Sequence, residues 1–300
     1  MEYIGEIAAL ATAFFWSFTS LFFTAASKRI GSYWLNKIRI ILAVILLGST
    51  LFITTGRLLP DGIPAESYYY LILSGVIGLS LADTLLFRSF VMMGPRISLL
   101  VFSVSPIIAA ITAWIMLGEK LGIMAILGII VTLSGVAWVT SERSYNNGNN
   151  TSGYKISGKA ILLTIGAAAG QAIGLVLAKA GMGDTLDALP ATFIRMAAAA
   201  VGIWMYSIIR GHIWELPTKL KDVKALYLSL GGAVCGPFLG VWLSLAAVKH
   251  TEAGIAMAIM ATVPVMVIPL VILIHKEKVS YRAVIGAVVT VGGVALLFVS

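Results

Sequence analysis

Hydrophobic residues run along this chain in ten long blocks, roughly 4–26, 34–54, 68–91, 95–117, 120–140, 158–180, 187–209, 224–248, 252–274 and 279–299. About 20 consecutive apolar residues span a bilayer as helix, so each block is long enough to cross. The separators are short, and none has room for a soluble domain. Only 141–157 (SERSYNNGNNTSGYKIS) is a polar, Gly/Asn/Ser-rich stretch between long apolar runs, and it reads as a linker. The pattern predicts an all-α integral membrane protein of ten transmembrane helices, with five-helix units at 1–143 and 158–300 joined by a polar linker at 144–157.

The two units repeat one another. At an offset of 158, Pro106 falls on Pro264, Glu119-Lys120 on Glu277-Lys278, Gly128 on Gly286, Thr132 on Thr290 and Gly135-Val136-Ala137 on Gly293-Val294-Ala295. Upstream, Gly78 meets Gly236 and Leu81 meets Leu239, while Ile38-Arg39 meets Ile194-Arg195 at an offset of 156. The symmetry is broken at Asp83, whose counterpart is Val241, and at Trp242, whose counterpart is Thr84. An odd number of spans makes the second unit enter the membrane from the opposite side. The units are therefore predicted to be inverted repeats about an axis in the membrane plane, with substrate near the midplane.

Composition agrees with a membrane location: 59% of residues are hydrophobic, 11% are charged and mean hydropathy is +0.99. A soluble domain carries about 25% charged residues. The net charge of +8 reads as sidedness rather than nucleic-acid binding, because sixteen of the 21 basic residues fall toward one face. The positive-inside rule makes that face cytoplasmic and puts both termini outside, in an inner or plasma membrane. Asn149 and Asn150 each begin a glycosylation triplet in the linker, and modification there would require the opposite orientation. No cleavable signal is apparent, and the first apolar run is expected to remain as an anchor. A single cysteine, Cys235, excludes an internal disulfide, and the three histidines lie in or beside loops, so no metal site is expected.

Gly128, Thr132 and Gly135 form one stripe on the fifth helix, repeated by Gly286, Thr290 and Gly293 on the tenth. Small stripes let helices approach closely in lipid, so these two helices read as scaffold. The stretch SPIIAAITAWIMLGEKLGIMAILGIIVTLSGVAWV places a central Ser-Pro, then Leu-Gly-Glu-Lys, then a helix with spaced glycines. With Arg39 early in the second helix and a complete second copy, the chain resembles the EamA-type branch of the drug/metabolite transporter superfamily. One departure is His275-Lys276-Glu277, where the pattern has Leu-Gly-Glu. The resemblance implies helices one to four and six to nine around a central cavity, five and ten at the periphery, and export of a small metabolite such as an amino acid.

Several residues are candidates for transport chemistry. Pro106 and Pro264 each remove a backbone donor mid-span, which suits either a hinge or a static kink. Ser103, Ser105 and Thr262 beside them either satisfy freed backbone groups or contact substrate. Arg39 and Arg195 put charge in the hydrocarbon, which costs roughly 2.5–3.5 kcal/mol on insertion scales, and so should face protein or water. Each is read as a substrate-anion or gate residue or as half of a structural ion pair, and Arg39 alternatively snorkels as Lys37 can. Asp83, the carboxylate well inside a span, is a candidate for proton coupling or amine binding, or is paired with Arg39 or Arg88. Trp16, Gln171 and Trp242 are candidates to line the cavity. Trp34, Trp214 and Tyr68-Tyr69-Tyr70 read as an interfacial belt, Glu6 as a solvated carboxylate, and Glu119 and Glu277 as caps of the fifth and tenth helices.

No phosphate-binding loop, no His-Glu-x-x-His and no intramembrane acid–histidine group is present, so neither catalysis nor a cofactor is expected. The expected partners are a small-molecule substrate, the bilayer and protons as a candidate coupling ion, with no nucleic acid and a monomer or weak dimer. The reading is a secondary transporter, gradient-driven or facilitative, working by alternating access. Its alternatives are a non-transporting accessory protein with the same fold and a polytopic membrane enzyme.

Overall fold

The computed structural model describes residues 3–93, 95–146, 157–209, 221–275 and 281–299, all helices and their connections, with no strand among them. The helices are α1 (Ile4–Ile30), α2 (Ser32–Thr55), α3 (Ala65–Met93), α4 in two pieces (Pro95–Phe102 and Ser105–Leu117) and α5 (Ile123–Asn146). The second set is α6 (Gly158–Met182), α7 (Ala188–Ile209), α8 (Val223–His250), α9 in two pieces (Ala253–Met260 and Val263–His275) and α10 (Tyr281–Leu297). Among the described residues nine helical runs are long and apolar enough to cross a membrane, and α10 is shorter. The helix α5 runs to Asn146, into the expected linker, whose Ser157 caps α6 by accepting the Ala160 N–H at 3.2 Å. Asn149, Asn150, Trp214 and Glu277 lie outside the described residues.

Packing follows an inverted two-fold pattern: α3 lies on α6 as α8 lies on α1, and α2 on α7, α4 on α9 and α5 on α10 are self-paired. The α5–α10 contact is the most extensive and shows why both carry the same stripe. A Cβ on Gly135 would meet Thr290 N at 2.6 Å, and one on Gly293 would meet Thr132 N at 2.4 Å. Only hydrogen fits at those points, and the close approach gains dispersion contacts where lipid offers no hydrophobic drive.

The expected continuous fourth and ninth helices are each broken. Turns at Ser103-Val104 and Ala261-Thr262 separate their pieces, at matched positions in the two repeats. Pro106 and Pro264 therefore sit in the first turn of a second piece, where a missing N–H costs little. The Ile107 N–H turns to Val104 at 3.1 Å, and Val265 does the same to Thr262 at 2.9 Å. Ser103 and Thr262 hydroxyls donate back to Leu100 and Ile259 carbonyls at 2.6 and 2.7 Å, which is the backbone-satisfying role.

Helices α3 and α8 hold a second matched irregularity, π-helical turns at Gly75–Leu81 and Val234–Gly240. Such turns occur mostly as local insertions, often at functional sites. Both are glycine-rich because a neighbouring helix presses on them. A Cβ on Gly78 would come within 3.2 Å of Gly174 Cα, and one on Gly240 within 2.4 Å of the Trp16 indole nitrogen.

Candidate functional site

The broken helices and the π turns converge on a cavity of about 220 Å³ in the middle of the bundle. Its walls come from α1, α3, α4, α5, α6, α7, α8 and α9, so both repeats contribute. Trp16, Gln171, Ser103, Arg195 and Pro264 line it, with Val241, Ser244 and an apolar surface that includes Leu79, Phe102, Leu175, Met257 and Met260. The other sequence candidates, Asp83, Arg39, Trp242 and Pro106, are not part of this lining.

Arg195 is 2% exposed, with its guanidinium beside the α3 π turn. A Cβ on Gly78 would touch Arg195 Nη2 at 2.9 Å and Gln171 Oε1 at 3.4 Å, so both polar groups meet over that glycine. Neither Arg195 Nε nor Gln171 Oε1 has a hydrogen-bond partner among the described residues. Buried polar groups are normally satisfied, so an unpaired donor and acceptor at one cavity wall call for a ligand or water.

Arg39 is differently placed. Its Nη2 bonds Asp83 Oδ2, its Nε donates to Asn36 Oδ1 at 2.7 Å, and Phe23 and Phe87 rings lie 5.5 Å from the guanidinium carbon. Asp83 is thus paired with Arg39, while Arg88 is exposed. Trp242 packs against Phe238 within the core, with ring centroids 6.0 Å apart.

Lys37 does not snorkel. It is fully buried, bonded to the Ser207 hydroxyl, with its ammonium 3.6 Å from the Tyr33 ring centroid and 4.3 Å from that of Trp34. Trp34 is correspondingly 3% exposed and belongs to this cage, not to an interfacial belt. A flanking Tyr-Trp one turn before the lysine was the available signal, because indole and phenol faces compensate a desolvated ammonium.

One end of the bundle carries the start of α1 and the α2–α3, α4–α5, α6–α7 and α8–α9 connections. There a polar clasp joins the repeats. Lys179 Nζ lies 2.6 Å from Glu119 Oε1 and donates to the Thr251 carbonyl at 2.7 Å, and Glu119 Oε2 accepts the Ala253 N–H at 2.9 Å. Glu119 therefore caps α9 of the other repeat rather than its own α5. The Thr251 hydroxyl donates to Glu6 at 2.7 Å, so Glu6 is bound rather than solvated, and Lys249 holds Asp187 at 3.0 Å. Beneath this clasp the first piece of α9 packs closely on the second piece of α4, with Gly254 against Ala110.

At the opposite, basic end the counterpart pairing, first piece of α4 with second piece of α9, is not a close one among the described residues. There Arg29 bonds Asp222 at 2.8 Å across α1 and α8. The Ala225 N–H and then the Arg29 guanidinium hold the Asp222 carboxyl below its ordinary value.

A family profile, that of the EamA-like transporter family, matches residues 3–141 and again 158–299. The chain belongs to the EamA-like transporter family. As a member of it, with its run of apolar helices, the protein is a multi-pass integral membrane protein. It is 32% identical over 106 residues to an uncharacterized transporter of Clostridium kluyveri, an alignment spanning 32% of this chain and 34% of that relative. A solved crystal structure superposes with a TM-score of 0.77 at 15% identity, covering 99% of this chain and 96% of the other, which bears on the fold alone.

Proposed function

We propose that this EamA-family protein is a secondary transporter that exports a small organic metabolite by alternating access. The observation that supports the reading is one central cavity walled by both repeats, with a close contact between them at one end that has no equally close counterpart at the other among the described residues. Its floor is the Lys179–Glu119–Ala253 clasp and the Gly254–Ala110 contact, and at its other end the matching helix pieces make no equally close contact among the described residues. Rocking of the repeats about the matched turns before Pro106 and Pro264 would exchange the two conditions. With the basic end cytoplasmic, as the positive-inside rule favours, this is the state in which an exporter loads. No nucleotide is required, so the driving force is a gradient of substrate or of protons.

The test locks the closed end. In a Cys235→Ala background, Ala110→Cys with Gly254→Cys places two Cβ positions 2.8 Å apart, so a shift of about 1 Å between the helices brings them to the roughly 3.8 Å of a disulfide. Oxidation should stop flux in proteoliposomes, and reductant should restore it. Flux that continues through the oxidised protein rules out alternating access at this end. Thiol labelling at Lys221→Cys and Asp61→Cys, exposed at the basic and opposite ends, fixes orientation in the same vesicles.

A further inference from the structure

Arg39 and Arg195 are equivalent residues of the two repeats, yet only Arg39 is bonded to an acid, while Asp83 attracts Arg195 through space without touching it. Asp83 sits on α3 and bonds Arg39. Its counterpart on α8 is Val241, which lines the cavity that Arg195 also lines. Repeat two keeps the arginine and lacks the carboxylate. Arg195 is buried, no hydrogen bond or ion pair reaches its guanidinium among the described residues, and its Nε is unsatisfied.

We propose that the cargo is a small organic monocarboxylate with an apolar body, its carboxylate filling beside Arg195 and Val241 the role Asp83 fills beside Arg39. This rests on the cavity being the transport site.

Three further observations narrow the class. Arg195 is the one charged residue among the described lining, and Asp83, which also attracts it, is already paired with Arg39; the three leave one net positive charge that a monoanion neutralises, whereas a dianion leaves a buried charge uncompensated. The lining offers an ammonium no carboxylate, which disfavours amines and zwitterions. Gln171 Oε1, facing Arg195 over Gly78, accepts a hydrogen bond from a donor next to the carboxylate, such as a 2-hydroxyl. The Leu79, Leu175, Met257 and Met260 wall receives the hydrocarbon part. At about 220 Å³ the cavity lies below the roughly 300–1,000 Å³ of drug-sized sites.

The experiment measures binding to purified full-length protein by calorimetry with four probes of one carbon skeleton: 2-hydroxy-4-methylpentanoate, its amide, leucine and isoamylamine. The hydroxy acid should bind at least tenfold more tightly than the other three. Val241→Asp, which supplies the missing acid internally, should weaken it at least tenfold, and Arg195→Gln should do the same. Equal binding of acid and amide to the unaltered protein, preference for leucine or the amine, or no binding of any probe overturns the proposal without depending on a variant's folding. Unchanged acid binding in a monodisperse Val241→Asp protein also overturns it. Specific binding with no flux in vesicles would sink the transport reading and leave this site standing.

Discussion

Lys179 at the end of α6 and Glu119 after α4 touch at 2.6 Å, joining the two repeats at the closed end of the bundle. The contact is an ion pair without an aligned hydrogen bond at that oxygen, while the other oxygen caps α9. Both side chains are mostly buried, at 22% and 13% exposure, so water screens the pair little. Its counterpart cannot form in the same way at the other end, because the residue equivalent to Ala253 is Pro95, which has no N–H.

Glu119→Gln should therefore favour opening of the clasped end. Losing the charged half of the pair and weakening the cap should cost about 1–3 kcal/mol. The measurement is thiol labelling of Gly254→Cys in a cysteine-free background, which should quicken severalfold in Glu119→Gln and in Lys179→Met. The double variant should be no faster than the faster single one. Labelling that stays slow in all three would mean the clasp does not hold this end closed.

The prolines offer a separation of binding from rate. Pro106→Ala and Pro264→Ala each restore an N–H one turn after the Phe102 or Met260 carbonyl, letting the broken helix knit across the turn. The expected outcome is flux lowered about tenfold in both, with substrate affinity changed less than twofold in Pro106→Ala, whose proline is not part of the cavity lining. A static kink would leave the flux untouched.

Arg39 and Asp83 are 15% and 11% exposed at their side chains, and removing one partner strands the other. Asp83→Asn and Arg39→Met should each lose about 3–5 kcal/mol of stability, the usual cost of breaking a buried pair. Arg39→Met with Asp83→Leu should recover much of that loss in thermal unfolding. Failure of the double variant to recover any stability would show that Asn36, Phe23 and Phe87 hold Arg39 for another reason.

Much of this architecture was legible because its causes are periodic or costly. Apolar blocks fix the spans, and prolines, glycines and charges recurring at one offset expose the repeat. The α5–α10 seam was legible too, since i, i+4, i+7 spacing puts Gly128, Thr132 and Gly135 on one face. Partner choice was not, because it depends on which helix end arrives from elsewhere. Glu119 precedes α5 in sequence, yet in space it meets the N-terminus of α9. Lys37 looked able to reach water, and only the approach of α7 with Ser207 shuts it in. The π turns had a local signal in Gly75, Gly78, Gly236 and Gly240, but a glycine-rich run specifies closeness without saying what comes close. Arg195 could be singled out by its cost, while the lack of a hydrogen-bond partner at its Nε among the described residues required the position of every neighbouring helix.

The α5–α10 seam provides the last prediction, because two adjacent glycines face opposite ways. A Cβ on Gly293 would lie 2.4 Å from Thr132 N and 2.8 Å from Thr132 Cα, so backbone must shift to admit it. A Cβ on Gly292 would meet nothing within 4 Å. Gly293→Ala should accordingly lose about 1–3 kcal/mol, the range for overpacking a tight contact. Gly292→Ala should be stabilising by about 0.4–1 kcal/mol, because alanine restricts the unfolded chain and suits an exposed helical position. Thermal unfolding of the two variants in the same detergent compares them directly. Flux per folded molecule should match the unaltered protein in both, since neither residue lines the cavity. A Gly293→Ala protein that is fully stable but transports poorly would move α5 and α10 from scaffold to moving part.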